Sequence, residues 1–190
     1  MAVPLSQAAQ EAVIDLAEAV RAEVEAAAHG PRSAVRWVRM DGLHLTLRFL
    51  GPTDPQDVAA VEAAVRRAGA RALPFSLVIG GAGAFPSAAR PRTIWLGLTG
   101  GLEHVAQLAS TVDDELESVG WTRETRPFRG HLTLARADGR REGPLVARRL
   151  ADRMAGRTIA SEVSQVALYE SVTGSGAARY VSLASVPLGR

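Results

Sequence analysis

A four-residue string occurs twice in this chain, and this repeat constrains the fold more than any other feature of the sequence. His-Leu-Thr-Leu stands at residues 44–47 and again at 131–134, which is 87 residues later and nearly half of the 190-residue length. Both copies lie in short apolar segments that are typical of β-strands. The repeat predicts two similar lobes, each built from strands and two helices.

Strand geometry gives the repeated string a polar face and an aliphatic face. Side chains two residues apart in a β-strand point to the same side of the sheet. In each copy the His and Thr therefore share one side, and the Leu residues lie on the other. The polar residues are His44, Thr46, His131 and Thr133. On the aliphatic side of the first copy we expect Leu45, Leu47 and Phe49 to be buried.

Two imidazoles that face each other across a cleft are suited to an in-line displacement at phosphorus. A neutral imidazole can take a proton from attacking water, and an imidazolium can give one to the leaving oxygen; each transfer is worth about 10²–10⁴-fold in rate. Threonine hydroxyls can donate hydrogen bonds to phosphate oxygens, and an arginine can hold the anion. The alternative is that both histidines are half-buried strand residues, with threonines chosen as strand formers.

Hydrophobic periodicity and capping signals predict eight strands and four helices in the order β-α-β-β-α-β-β-α-β-α-β-β. The predicted helices cover 6–28, with Ser6 as N-cap and His29 and Gly30 at the end, and then 54–69, 102–119 and 144–154. The predicted strands cover 2–5, 35–40, 43–51, 75–79, 93–98, 129–136, 163–171 and 180–186. A turn is expected at Asp41-Gly42 and a bulge or bend at Gly80–Gly83. Short connections indicate antiparallel pairs, which favours an α+β fold.

Composition excludes several classes of protein. The apolar fraction of 47% and charged fraction of 22% are those of a folded domain. No uncharged apolar stretch reaches about 18 residues, and no secretory signal pattern begins the sequence, so a cytoplasmic location is expected. All 22 basic residues are Arg and the net charge is only +2, which by itself does not indicate nucleic-acid binding.

No metal or other cofactor is predicted. Cysteine is absent, which excludes disulfides, a thiol nucleophile and a Cys-ligated metal. No His pair has the spacing of a zinc site, and Asp113-Asp114-Glu115 lies within a predicted helix, where a solvated acidic face is expected.

The sequence around both strings resembles a known family. Residues 44–51 (His-Leu-Thr-Leu-Arg-Phe-Leu-Gly) and 126–136 (Arg-Pro-Phe-Arg-Gly-His-Leu-Thr-Leu-Ala-Arg) are similar to the paired motifs of the two-histidine phosphoesterase superfamily. More narrowly, the chain resembles the bacterial and archaeal RNA 2′,3′-cyclic phosphodiesterases, also called 2′-5′ RNA ligases. Residues 36–39, 92–97 and 168–171 support the resemblance, which extends over essentially the whole chain.

The resemblance implies a bilobal α+β fold, formed as a single domain over residues 1–190. Two pseudo-symmetric lobes with antiparallel sheets would flank a central cleft, with the helices outside. It also implies metal-independent opening of RNA 2′,3′-cyclic phosphates to 2′-phosphomonoesters, and some members join RNA ends through 2′-5′ bonds. The expected substrates are RNA ends of this kind, such as tRNA fragments. No membrane and no obligate protein partner are expected, and the chain is expected to be a monomer.

Site residues follow from matching the motifs position by position. His44 and His131 match the two catalytic histidines, and by analogy His44 is the acid that protonates the leaving 3′ oxygen while His131 is the base that activates water. Thr46 and Thr133 match the phosphate-contacting hydroxyls. Arg136 matches an arginine that often follows the second motif.

The chain departs from the family pattern at two places. Gly130 stands where relatives usually have proline before the second histidine. In a regular strand Arg136 would point away from His131, so it reaches the phosphate only if the strand bulges or ends there. For Arg48, a solvated or ion-paired side chain is expected rather than an RNA contact, and Trp37, Trp95 and Phe128 are expected to pack in the interior.

Two other functions remain open at this stage. The same site could act on ADP-ribose cyclic phosphate or on a small cyclic nucleotide. Alternatively, the chain could bind nucleotides or RNA without turnover, although a pure binding module has no need for two proton-transfer groups.

Overall fold

A computed structural model describes residues 1–27, 35–139, 142–174 and 177–189 of the chain, and over these ranges it contains four α-helices and nine β-strands. The helices are α1 (Gln7–Ala27), α2 (Val58–Ala70), α3 (Leu102–Glu117) and α4 (Gly143–Met154). The strands are β1 (Ala2–Pro4), β2 (Arg36–Trp37), β3 (His44–Thr46), β4 (Phe75–Phe85), β5 (Thr93–Gly100), β6 (His131–Arg136), β7 (Thr158–Val163), β8 (Gln165–Val172) and β9 (Arg179–Pro187). Single turns of 3₁₀ helix cover Met40–Gly42 and Pro55–Asp57.

The strands form two antiparallel sheets, and each sheet carries one copy of the repeated string. The first sheet has the order β3-β1-β8-β9 and the second has the order β2-β6-β5-β4-β7. Strand β3 holds His44 at the edge of the first sheet, and β6 holds His131 between β2 and β5 of the second. Both sheets combine strands from the two halves of the sequence. The predicted α+β fold with antiparallel sheets is confirmed.

Each sheet is covered by two helices. Helices α2 and α3 pack on the first sheet around a core that includes Val3, Leu45, Val65, Val112 and Leu168. Helices α1 and α4 pack on the second sheet around a core that includes Val13, Ile94, Leu96, Leu132 and Leu150. The aliphatic side of each repeated string is therefore buried, with Leu45 and Leu132 each 1% exposed. This burial orients the polar side of both strands away from the cores.

Local signals fixed most of the element boundaries. The Ser6 hydroxyl accepts a hydrogen bond from the Ala9 amide at the start of α1, as its capping role predicts. The Asp54 carboxylate accepts one from the Gln56 amide before α2. The glycine run at 80–83 forms a bulge within β4, with Gly81 at a φ of 70°. His29 and Gly30 lie outside the described residues.

Three predictions about the strands were wrong. Strands β2 and β3 do not form a hairpin at Asp41-Gly42, because the chain crosses there from one sheet to the other and Gly42 lacks the positive φ of a tight hairpin turn. Phe49 is 73% exposed, because β3 ends at Thr46 and the alternation stops with it. Strand β7 was not predicted at all.

Over the described residues, no helix combines the length and the apolar character that crossing a membrane requires.

Candidate active site

The polar sides of the two repeated strings meet in one cavity. This cavity has a volume of about 300 Å³ and lies where β3 of the first sheet contacts β6 of the second. All five residues singled out from the sequence line it. They are His44, Thr46, His131, Thr133 and Arg136. The cavity is large enough to take a group of about the size of a nucleotide.

The two imidazoles are oriented by the same kind of local hydrogen bond. Nδ1 of His44 lies 2.7 Å from the carbonyl oxygen of Gly42, and Nδ1 of His131 lies 2.7 Å from that of Arg129. A carbonyl oxygen can only accept, so Nδ1 carries the proton in both rings. Nε2 is then the atom of each ring that can exchange a proton with a ligand.

Aromatic rings flank each histidine. The ring of His44 lies 4.4 Å from that of Tyr180 between centroids, at 80°, and 5.3 Å from that of Tyr169. The ring of His131 lies 5.3 Å from that of Phe85, at 88°. The contacts with Tyr180 and Phe85 are edge-to-face, a preferred geometry that orients the imidazole planes.

Burial changes the acidity of His44. Removal from water disfavours the imidazolium and lowers the pKa of His44 below its ordinary value of 6.5, and the hydrogen bond to the Gly42 carbonyl acts in the opposite direction. Protonated His44 is therefore a stronger acid than an ordinary imidazolium, and it loses its proton at a lower pH.

A β-bulge brings Arg136 to the same side of β6 as the histidine. Thr93 and Trp95 lie two residues apart on β5, so their side chains share one side of the sheet, and their partners on β6 are Arg136 and Thr133. Between these pairs β6 holds one residue more than β5, and both Leu134 and Ala135 are buried. The side on which Arg136 lies thus follows from the bulge and not from regular alternation.

Arg48 lies in a different environment from the cavity residues. Its Nε atom is 3.1 Å from Oδ1 of Asp113, its Nη1 atom is 3.1 Å from Oε2 of Glu124, and its side chain is 13% exposed. Arg48 is thus an ion-paired residue. The prediction of a solvated acidic face on α3 was wrong at Asp113, which is equally buried against this arginine.

The remaining acidic residues of that helix are paired as well. Asp114 contacts Arg123, and Glu115 accepts hydrogen bonds from Arg67 and Arg71. Across the described ranges, no group of three His, Asp or Glu side chains has the arrangement that could hold a metal ion.

The sequence model of the 2′-5′ RNA ligase superfamily matches residues 5–174. The chain belongs to this superfamily.

Three relatives similar to this chain are each named RNA 2′,3′-cyclic phosphodiesterase. The RNA 2′,3′-cyclic phosphodiesterase of Aeropyrum pernix is 33% identical over 138 residues, which is 73% of this chain and 77% of the relative. That of Methanothermobacter thermautotrophicus is 30% identical over 161 residues, which is 83% of this chain and 86% of the relative. That of Escherichia coli is 34% identical over 125 residues, which is 65% of this chain and 68% of the relative.

Solved structures agree with the sequence relatives. E. coli LigT complexed with NADP⁺ superimposes with a TM-score of 0.70 at 27% identity, over 100% of this chain and 96% of that one. TT0787 of Thermus thermophilus gives a TM-score of 0.75 at 24% identity, over 98% of this chain and 95% of that one, and this likeness concerns the fold alone. The bilobal fold inferred from the motifs is confirmed.

Some residues at this superfamily site were not found from the sequence. Tyr180, Arg36 and Trp37 also line the cavity, and Phe85 contacts the ring of His131. Trp37 packs partly against the second core, as predicted, and also reaches the cavity. Tyr180 and Phe85 have no motif around them, so only the tertiary arrangement reveals their position.

The other residues near the second string have separate surroundings. Arg126 is exposed and paired with Glu124, and Phe128 packs against the first core, as expected. Trp95 contacts His131 at 6.2 Å between ring centroids. A Cβ atom on Gly130 would come within 2.9 Å of Leu98 Cδ1.

Proposed function

We propose that the protein hydrolyses 2′,3′-cyclic phosphates at RNA ends to 2′-phosphomonoesters. The observation that carries this proposal is the matched pair of histidines. Each has Nδ1 bonded to a main-chain carbonyl and Nε2 available for proton transfer, and both line one cavity with two threonine hydroxyls. The activity named for the relatives supports the same conclusion.

His131 acts as the base and His44 as the acid in this mechanism. Nε2 of His131 takes a proton from water as the water oxygen forms a bond to phosphorus. The bond between phosphorus and O3′ breaks on the opposite side, and Nε2 of His44 gives its proton to O3′. The products are a 2′-phosphate and a 3′-hydroxyl, and the proton on His131 returns to His44 through solvent.

Three other side chains stabilise the phosphate in this proposal. The hydroxyls of Thr46 and Thr133 donate hydrogen bonds to the nonbridging oxygens, where negative charge grows in the transition state. The guanidinium of Arg136 holds the same anion through charge-assisted hydrogen bonds. This chain's own residues therefore supply positioning, charge and proton transfer.

The same step can also join RNA ends. When the 5′-hydroxyl of a second RNA replaces water, His131 removes its proton and the product is a 2′-5′ phosphodiester. Hydrolysis dominates whenever water reaches phosphorus more often than a second RNA end does.

We further propose that the protein acts as a monomer and as a single domain, because one chain supplies both histidines and both threonines of the cavity. Its substrates are RNA ends in the cytoplasm, among them tRNA fragments.

A single assay tests the proposed reaction. A short RNA ending in a 2′,3′-cyclic phosphate is incubated with the protein in the presence of EDTA, and the position of the product phosphate is determined by NMR. The expected product is the 2′-phosphate, with about 10²–10⁴-fold less formed by His44→Ala and by His131→Ala. A 3′-phosphate, or unchanged rates in either folded variant, would contradict the mechanism. If the protein opens ADP-ribose cyclic phosphate or a cyclic mononucleotide but not the RNA cyclic phosphate, that compound would replace RNA as the proposed substrate of the site.

A further inference from the structure

Two arginines lie side by side at the wall of the cavity. Arg36 on β2 and Arg136 on β6 are direct partners in the antiparallel register, so their side chains share one side of the sheet. Both line the cavity. Like charges in direct cross-strand contact repel each other, so this arrangement costs stability unless an anion lies between or beside them.

Neither arginine of this pair has an acidic partner in the part of the chain that the structure describes. The third arginine that lines the cavity does have one. Arg39 lines the same cavity, but its guanidinium is bound to Asp41 at 2.6 Å. Among the three arginines that line the cavity, Arg36 and Arg136 are thus the two without an ion-pair partner in the described residues.

The reacting cyclic phosphate does not account for both cations. It carries one negative charge. In the proposed mechanism two positive charges already face this phosphate, namely the guanidinium of Arg136 and the protonated imidazole of His44. The guanidinium of Arg36 is then in excess. The nearest further anion in an RNA substrate is the phosphodiester that joins the terminal nucleoside to the preceding one.

We propose that Arg36 binds this internucleotide phosphate and gives the protein a preference for cyclic phosphates on RNA chains over nucleoside cyclic monophosphates. The proposal rests on the proposed function. Among the described strands β2 lies at the edge of its sheet, so none of them blocks the path of an RNA chain that passes Arg36. Arg36 is a specificity residue in this role and takes no part in proton transfer.

Two substrates test the preference. They are adenosine 2′,3′-cyclic monophosphate and the dinucleotide ApA ending in a 2′,3′-cyclic phosphate. For the parent protein we expect kcat/KM to be about tenfold higher for the dinucleotide, mainly through KM, which is the size expected for one charge-assisted contact. A dinucleotide with a neutral methylphosphonate linkage should lose this advantage.

Variants assign the effect to Arg36. In Arg36→Met the ratio of the two kcat/KM values should fall close to one, while monophosphate kinetics stay within about threefold; Arg36→Lys should recover part of the ratio. The slope of log kcat/KM against log salt for the dinucleotide should become shallower by about 0.7. Arg39→Met is the matched control, because that cation is neutralised by Asp41, and its ratio should equal that of the parent.

The outcomes separate the two proposals. The role of Arg36 would be overturned if the parent had equal kcat/KM for the phosphodiester and the methylphosphonate dinucleotides. It would also be overturned if Arg36→Met kept the parent's ratio of kcat/KM between dinucleotide and monophosphate. Neither result would affect the proposed hydrolysis. If neither cyclic phosphate is opened, the proposed function fails, and calorimetry still decides about Arg36. In that case ApA 2′-phosphate should bind more tightly than adenosine 2′-phosphate in the parent but not in Arg36→Met.

Discussion

His44 and His131 are oriented by the same local bond, in which Nδ1 lies 2.7 Å from the carbonyl oxygen of the residue two positions earlier. The bond needs no second side chain, because each histidine begins its strand and the main chain just before the strand supplies the acceptor. Both rings are therefore held in one tautomer by main chain alone. Their difference lies in the surroundings, since two tyrosines flank His44 and Phe85 and Trp95 flank His131.

The assignment of His44 as the acid and His131 as the base can be tested with a substrate that has an altered leaving group. Sulfur in place of O3′ leaves as a thiolate and needs no proton from an acid. On such a cyclic phosphorothiolate, His44→Ala should recover most of the activity that it loses on the oxygen substrate, which we expect to be about 10²–10⁴-fold. His131→Ala should remain inactive on both. Recovery in His131→Ala instead would reverse the two roles.

The pH dependence of kcat/KM should report the burial of His44. As the acid, His44 must be protonated, and its lowered pKa means that activity declines as pH rises through a value below 6.5. A pH profile of initial rates from pH 4 to 9 measures this decline. The alkaline decline should vanish in His44→Ala. A decline that starts only above pH 7 in the parent would show that burial does not control this proton.

The alternation of elements was predictable from the sequence because helix periodicity and caps are local properties. The stripe of α3, which includes Val105, Leu108 and Val112, is buried as its spacing predicts. Strand β7 escaped prediction because it lies at a sheet edge and three of its six residues are polar, so its apolar pattern is weak.

The candidate site was predictable only where a motif marks it. The repeated string identified the residues on β3 and β6, but the side on which Arg136 lies depends on how β6 aligns with β5. Register is a property of two strands that are distant in sequence, so one strand alone could not reveal the bulge. Tyr180 likewise reaches His44 only through the pairing of the first sheet.

Gly83 should prove to be a positioning residue for His131. A Cβ atom at this residue would lie 2.5 Å from ring atoms of Trp95, which in turn contacts His131. We expect Gly83→Ala to cost about 1–3 kcal/mol of stability through overpacking, and to reduce kcat about tenfold by shifting the imidazole. Urea denaturation and steady-state kinetics measure the two effects. Adding Trp95→Phe removes the colliding atoms, so failure to recover kcat in the double variant would argue against this route.

Arg48 should contribute to stability and not to RNA affinity. Its removal takes away the ion-pair partner of Asp113, which is as buried as Arg48. We expect Arg48→Ala to lower the free energy of unfolding by about 3–5 kcal/mol. The exposed pair of Arg66 and Glu62 provides the comparison, and Arg66→Ala should cost less than about 1 kcal/mol. Unchanged stability in Arg48→Ala together with weaker RNA binding would instead give Arg48 a role in recognition.

The pairing of early and late strands within the first sheet has a consequence for folding during synthesis. Strand β1 pairs with β3 on one side and with β8 on the other, so the first strand of this fold in chain order is paired with the last but one. While the chain is still emerging from the ribosome, the sheet that presents His44 lacks half of its strands. We therefore expect a nascent chain to have no complete site until β8 and β9 have been synthesised.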